Sequence, residues 1–154
     1  NNQILKSEWS DYEKHFQIQL KGLHRIVKSL EGQLKEKKGI KFVIILSHVC
    51  VGNPPAGMSD YVSAKYALLG LSKSMAMELS KYNCTVNVVS PGLTETELVD
   101  HFPAKLKEIA AEQNPLSRIG APEDVANLVA FLASEEADYI NGAHITVNGG
   151  VKML

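Results

Sequence analysis

Residues 42–89 read FVIILSHVCVGNPPAGMSDYVSAKYALLGLSKSMAMELSKYNCTVNVV, with two short apolar runs on either side of a long helical pattern. The first run, Phe42–Leu46, is continuously apolar and rich in β-branched residues, which is typical of a strand covered on both faces of a parallel sheet. Tyr61–Leu79 repeats apolar residues at helical spacing, and Thr85–Val89 predicts a second strand. Strand, helix and strand in this order predict an α/β fold with parallel strands.

Another long helix is predicted before this stretch, from Ser10 to about Leu34. Ser10 suits the N-cap position, and acidic residues in the first turn favour the positive end of the helix dipole. The basic run KEKKG at residues 35–39 predicts the end of the helix. Apolar residues recur along it at intervals of three and four positions: Phe16, Leu20, Leu23, Val27, Leu30 and Leu34.

Three further segments follow the second strand. They are a polar stretch Thr94–Gln113 broken at Pro103, a helix Glu123–Ala133 led by Pro122, and a strand His144–Val147 ended by Gly149-Gly150. Three strands make a small sheet, and an apolar strand at its edge would present unpaired backbone to water. We therefore expect residues 1–154 to form one domain that is only part of a larger sheet.

The composition narrows the classes of function. The chain has 154 residues, 45% apolar and 21% charged, which suits one globular domain. Its formal net charge of −1 indicates neither a nucleic-acid partner nor binding to an anionic membrane surface. No apolar run approaches the roughly 20 residues that a membrane span needs. Cys50 and Cys84 match no metal spacing, so we expect reduced thiols in a cytoplasmic protein that holds no metal.

Tyr61 and Lys65 stand four residues apart on the predicted helix, so their side chains share one face. An ammonium group beside a phenol favours the phenolate and is expected to lower the tyrosine pKa from its ordinary value of about 10. Such a tyrosine can exchange a proton with a carbonyl or an alcohol. The same spacing also occurs on plain solvated helix faces, so the pair alone does not decide between the two interpretations.

The order of several motifs resembles the short-chain dehydrogenase/reductase family, and in particular its 3-oxoacyl-carrier-protein reductases. The similarity runs from about Trp9 to Gly150 and includes the C-terminal segment that begins NPLSRIGAPEDVANLVAFLA. The motifs are Y-x-x-x-K at Tyr61 and Lys65, N-x-x-x-P-G at Asn87, Pro91 and Gly92, and P-G-x-x-x-T completed by Thr96.

This resemblance implies the C-terminal half of a doubly wound Rossmann-type sheet and an oxidoreductase that uses NAD or NADP. Tyr61 would be the acid/base, and Lys65 would hold the nicotinamide ribose and assist the tyrosine. The backbone after Pro91-Gly92, with Thr94 and Thr96, would border the nicotinamide. The same residues also allow purely structural interpretations, namely a sharp turn at Pro91-Gly92 and a helix N-cap at Thr96.

The sequence departs from the family first in its missing phosphate loop. The early glycines, Gly22 and Gly32, lie inside the predicted helix and not between a strand and a helix. Asn1-Asn2 is not the family's N-N-A-G turn, because no strand precedes it. At about 30 residues per βαβ unit, roughly 90 residues of the family's dinucleotide-binding half would be absent. We therefore expect a chain that begins mid-fold and binds little or no cofactor alone.

Two site positions also differ. The family's serine stands 13 residues before the tyrosine, where this chain has His48, while Ser47 stands 14 before it. We favour replacement of the serine by His48, with Ser47 as the alternative if the loop holds one extra residue. The family's helix asparagine, part of its proton relay, falls at Gln19, and Ile45 replaces a usual polar residue of the strand.

These observations favour two functions. The first is the C-terminal part of an NAD(P)-dependent oxidoreductase, inactive as an isolated chain and dependent on a missing N-terminal half. The alternative is a non-catalytic oligomerisation or scaffold domain derived from the same family. For both, the resemblance implies a homo-oligomer that pairs through helices 10–34 and 61–79.

Overall fold

The computed structural model describes residues 3–36 and 39–154 of the chain. It contains three strands, β1 (Lys41–Ile45), β2 (Thr85–Pro91) and β3 (His144–Val147). Its α-helices are α1 (Trp9–Phe16), α2 (Gly22–Ser29), α3 (Glu31–Glu36), α4 (Ser59–Leu79), α5 (Ala104–Glu112) and α6 (Pro122–Ala133), with a π-helical turn at Gln17–Lys21 between α1 and α2.

The three strands form one parallel sheet in the order β1-β2-β3. Val43 of β1 pairs with Asn87 of β2, and Val89 of β2 pairs with Ile145 of β3. Helix α4 connects the first two strands, and α5 and α6 lie between the last two. Because a parallel connection has to cross back over the sheet, this topology confirms the expected α/β, Rossmann-type architecture.

Both faces of the sheet are covered, as the apolar strand patterns predict. On one face, Val86 and Val88 of β2 pack in clusters with Leu68 and Met75 of α4. On the other, Val89 packs with Leu132 of α6, which is fully buried. This burial on two sides explains why β1 is continuously apolar after Lys41 and does not alternate.

The strand and helix limits differ slightly from the predicted ones. β1 is shifted one residue toward the N-terminus, and α4 begins two residues before Tyr61. β2 continues to Pro91, which was expected to stop it. Pro91 fits the end of the strand because Gly92 donates the next hydrogen bond, to the Val147 carbonyl at 2.9 Å, so the missing proline N–H is not needed.

The predicted single helix from Ser10 to Leu34 is wrong in two respects. The helix begins at Trp9, where the Glu8 N–H donates to the Asp11 carboxylate at 3.1 Å, so Ser10 lies inside the first turn and is not the N-cap. The segment is then interrupted by the π-helical turn and by a turn at Leu30, just before the weak helix former Gly32. Residues 37 and 38 of the predicted basic end lie outside the described residues.

Asn87 fixes β2 to the segment that leads into β3. Its fully buried amide donates to the Ile140 carbonyl at 2.7 Å and accepts from the Ala143 N–H at 3.0 Å.

Within the described residues, β1 pairs with β2 alone, and the Ile45 side chain is 45% exposed. The apolar edge predicted from the sequence is therefore present. Among the described helices, none has the length and apolarity to cross a bilayer.

Candidate active site

The predicted site residues meet at the carboxyl ends of the parallel strands, where open α/β sheets usually bind ligands. Ser47 and His48 follow β1, Tyr61 and Lys65 lie in the first two turns of α4, and the loop from Gly92 follows β2. The Lys65 ammonium donates to the Ile45 carbonyl at 3.4 Å, which holds the start of α4 against the end of β1.

Tyr61 and Lys65 share a helix face as expected. The Lys65 Nζ lies 5.6 Å from the centre of the Tyr61 ring. The pKa of Tyr61 is raised and not lowered, because burial disfavours the phenolate and a hydrogen bond with the Ser47 hydroxyl only partly offsets this. The expected lowering was therefore wrong for this structure. Burial also lowers the pKa of Lys65, so both groups favour their neutral forms more than free side chains do.

Ser47 and His48 have different neighbours. Ser47 has extended backbone at the start of a 3-10 turn, His48–Cys50, and its hydroxyl accepts from the Val49 N–H at 3.3 Å. His48 points elsewhere: its Nδ1 lies 3.1 Å from the Pro91 carbonyl oxygen. Burial lowers the pKa of His48. Of the two, Ser47 is the one whose hydroxyl bears on the pKa of Tyr61, and the choice between them stays a prediction.

Gln19 lies on the π-helical turn, an irregularity that is frequent at functional sites. Its Nε2 is 3.5 Å from the Nδ1 of His15, one turn earlier. Its Oε1 is buried and has no hydrogen-bond partner among the described residues. No described hydrogen bond joins Gln19 directly to Tyr61 or Lys65, so the structure brings it near the site through His15.

His15 is the site residue that the sequence analysis missed. Its ring meets the Tyr61 ring edge-on, with 5.6 Å between the ring centres and an angle of 75° between the planes. The sequence alone treats it as one more histidine without ligand spacing. The available signal was its i, i+4 relation to Gln19, which places both side chains on one helix face.

The loop after β2 is held close to the end of β3. A Cβ atom on Gly92 would lie 3.0 Å from both the Cα and the Cβ of Asn148, so glycine is required for this approach. The Thr94 hydroxyl donates to the Gly92 carbonyl at 3.2 Å. Thr96 is exposed at the N-cap of a short 3-10 turn, Glu97–Val99, but its side chain makes no capping hydrogen bond.

The turn after β3 contacts both loops of the site. The Asn148 amide donates to the Lys152 carbonyl at 2.7 Å, and the Lys152 ammonium donates to the Asn53 carbonyl at 2.5 Å. Asn53 belongs to the loop between β1 and α4, whereas Asn148 packs under Gly92. Residues 148–152 therefore connect the loops that follow β1 and β2.

Comparison with known proteins identifies relatives of this chain. Residues 1–152 match the family model described as Enoyl-(Acyl carrier protein) reductase. The chain is 38% identical over 156 aligned residues to the 3-oxoacyl-(acyl-carrier-protein) reductase FabG of Staphylococcus aureus strain Mu50, covering 99% of this chain and 62% of that protein. The corresponding protein of Rickettsia felis is 37% identical, with 94% and 59% covered.

Solved structures agree with this. A short-chain dehydrogenase/reductase from Brucella melitensis matches with a TM-score of 0.90 and 27% identity over 99% of this chain and 61% of its own. An acetoin dehydrogenase from Enterobacter cloacae matches with a TM-score of 0.84 and 33% identity, covering 97% and 59%. The chain thus spans about 60% of the length of these proteins. By its motifs, its sheet and its relatives, the chain belongs to the short-chain dehydrogenase/reductase family, and it is similar to the 3-oxoacyl-(acyl-carrier-protein) reductases within it.

Proposed function

We propose that this chain is the tyrosine-bearing part of an NAD(P)-dependent oxidoreductase that interconverts a carbonyl and an alcohol. The observation that supports this is the convergence of Ser47, Tyr61 and Lys65 at the carboxyl edge of the sheet, beside the loop that starts at Gly92. Three groups with proton-donating heteroatoms in one partly buried site suit a reaction in which a carbonyl oxygen gains a proton.

In this proposal the Tyr61 hydroxyl gives its proton to the carbonyl oxygen as the alcohol forms, and takes it back in the reverse direction. Its raised pKa keeps the phenol protonated at neutral pH, so a proton is present for transfer, but burial also makes the phenol a weaker acid. The Ser47 hydroxyl hydrogen-bonds the same substrate oxygen and orients it. NAD or NADP, when bound, supplies or accepts the hydride.

The described residues fit the nicotinamide end of such a cofactor. Lys65 makes one long hydrogen bond at 3.4 Å, which leaves ammonium protons for ribose hydroxyls. Thr96, in the loop after β2, is exposed and makes no capping hydrogen bond, so its hydroxyl is free to contact a ligand. In the part of the chain that the structure describes, no short glycine-rich turn joins a strand directly to a helix N-terminus, the arrangement that accepts a pyrophosphate. We infer that full activity requires that element from a further segment or a partner polypeptide.

The test is reduction of small carbonyl compounds by NADH or NADPH, followed by absorbance, with the further segment or partner polypeptide that supplies the pyrophosphate-binding turn present in the assay. Because the relatives include 3-oxoacyl reductases and an acetoin dehydrogenase, a 3-oxoacyl thioester and acetoin are the first substrates to try. Tyr61→Phe is expected to lower kcat by about 100-fold or more, the range for loss of a general acid. Tyr66→Phe on the exposed side of α4 is the matched control and should leave turnover unchanged.

The second candidate function is a non-catalytic oligomerisation domain. Large apolar side chains are exposed on the long helices, with Ile18 75% and Met77 78% exposed, as expected for surfaces that pair with another chain. Turnover in the assay above separates the two functions, because both predict little cofactor binding by this chain alone. Stable self-association without turnover supports the scaffold, whereas turnover that is lost in Tyr61→Phe rejects it.

A further inference from the structure

We propose that His15 is a positioning residue that orients the Gln19 amide on the π-helical turn while its ring packs against the phenol of Tyr61. The significance for catalysis rests on the proposed function above. The orientation itself is a property of this chain and can be measured without turnover.

His15 lies among three polar or aromatic neighbours. Its Nδ1 is 3.5 Å from Gln19 Nε2, and its Nε2 is 3.9 Å from Asp60 Oδ2. Its ring contacts Tyr61 edge-on at 5.6 Å between centres. With its side chain 34% exposed, His15 reaches from solvent to the candidate acid/base.

The position of Asp60 decides which ring nitrogen bears the proton. Its other oxygen, Oδ1, accepts from the Tyr61 backbone N–H at 2.8 Å, and its side chain is only 13% exposed, so the carboxylate is fixed and poorly solvated. The 3.9 Å between His15 Nε2 and the Asp60 carboxylate is longer than a hydrogen bond, but the negative charge favours the neutral tautomer that carries its proton on Nε2. The Nδ1 atom is then an acceptor.

The acceptor at Nδ1 in turn fixes Gln19. An amide facing an acceptor presents its NH₂ group, because oxygen facing Nδ1 would place two acceptors together. Gln19 Oε1 is thereby left available in the buried layer between the π-helical turn and α4, which pack on each other. Buried acceptors are rarely left without a donor, so this oxygen is suited to receive a proton donor such as water or a hydroxyl.

The tautomer is measured directly by long-range ¹H–¹⁵N NMR of the chain labelled at histidine. We expect His15 to be in the Nε2–H form, with cross-relaxation between its ring and the Gln19 NH₂ protons. His24, which is exposed on α2, is the matched control and should show the mixture found in free imidazole. A native His15 in the Nδ1–H form would overturn the proposal.

A second experiment removes the Asp60 carboxylate. Asp60→Asn keeps an oxygen for the Tyr61 N–H but can either donate to or accept from the His15 ring. It should therefore admit the Nδ1–H form that the native chain excludes. An unchanged His15 tautomer in this variant would contradict the role given to Asp60.

The catalytic consequence is tested with two substitutions in the carbonyl reduction assay. His15→Asn places an acceptor oxygen near the position of Nδ1, whereas His15→Phe keeps an aromatic ring against Tyr61 without an acceptor. His15→Phe should lower kcat about tenfold with little change in KM, the scale of one hydrogen bond, and His15→Asn should restore most of it. Equal losses in both variants would overturn the positioning role. If His15 has the expected tautomer but no variant turns over substrate, the proposed function is wrong. The orientation of Gln19 by His15 is then still supported.

Discussion

His48 and Pro91 join the two loops of the candidate site: the His48 Nδ1 lies 3.1 Å from the Pro91 carbonyl oxygen. Pro91 is the last residue of β2, and His48 starts the turn after β1, so this contact links adjacent strands beyond their ladder. The residue that stands at the family's serine position thus makes a structural contact with the end of β2.

Removal of this contact should be measurable. His48→Ala is expected to lower the free energy of unfolding by about 1 kcal/mol, the usual net value of one hydrogen bond. Urea denaturation followed by circular dichroism measures it. His24→Ala, on the exposed side of α2, should change stability by much less. Equal effects of the two substitutions would show that the His48 contact contributes nothing.

Acidification should destabilise the fold through two histidines. Burial lowers the pKa of both His48 and His144, so each binds its proton more weakly in the folded than in the unfolded chain. The contribution of these two histidines to the free energy of unfolding should therefore be constant above the unfolded pKa of about 6.5. It should decrease as the pH falls below that value.

Urea midpoints between about pH 7.5 and pH 5.5 test this dependence, because unfolded carboxylates, with pKa values near 4, stay ionised over that range. His144→Gln should reduce the dependence on pH. Midpoints that rise on acidification would contradict the direction of both shifts.

Gly92 and Gly70 form a matched pair, because the same substitution meets a crowded neighbour at one position and open space at the other. Gly92→Ala would force a Cβ to 3.0 Å from Asn148 and should destabilise the chain by about 1–3 kcal/mol. Gly70→Ala, inside α4 with open space around it, should stabilise by about 0.5–1 kcal/mol. Thermal denaturation separates the two, and a neutral Gly92→Ala would show that the approach of the loop to Asn148 is loose.

The exposed apolar residues of the long helices should pair between copies of the chain. Light scattering is expected to give a dimer or a larger assembly, and Met77→Glu in α4 should shift it toward the monomer. Tyr139 is fully exposed outside these helices, so Tyr139→Ser serves as the control. A monomeric native chain would refute the expected pairing.

The strands and α4 could be predicted from the sequence because the local pattern of apolar residues reflects how each element is buried. Phe42–Leu46 and His144–Val147 lie within one residue of β1 and β3, since a strand covered on both faces needs continuous apolar residues. Tyr61 and Lys65 share a face because helical geometry alone places them there.

The remaining features depend on tertiary contacts. Which of Ser47 and His48 lies nearer the phenol depends on the 3-10 turn that follows β1, and residue spacing does not specify that turn. The raised pKa of Tyr61 results from burial, which a pair of residues four apart does not encode. The π-helical turn under Gln19 likewise lacks a sequence signature.

The hydrogen bonds from Asn148 and Lys152 have a practical consequence for handling the protein. A proteolytic nick or a bulky fusion near residue 150 would loosen the supports of Gly92 and Asn53 together. Affinity tags at that end of the chain therefore call for a flexible spacer, and tag-free material is the safer choice for ligand titrations.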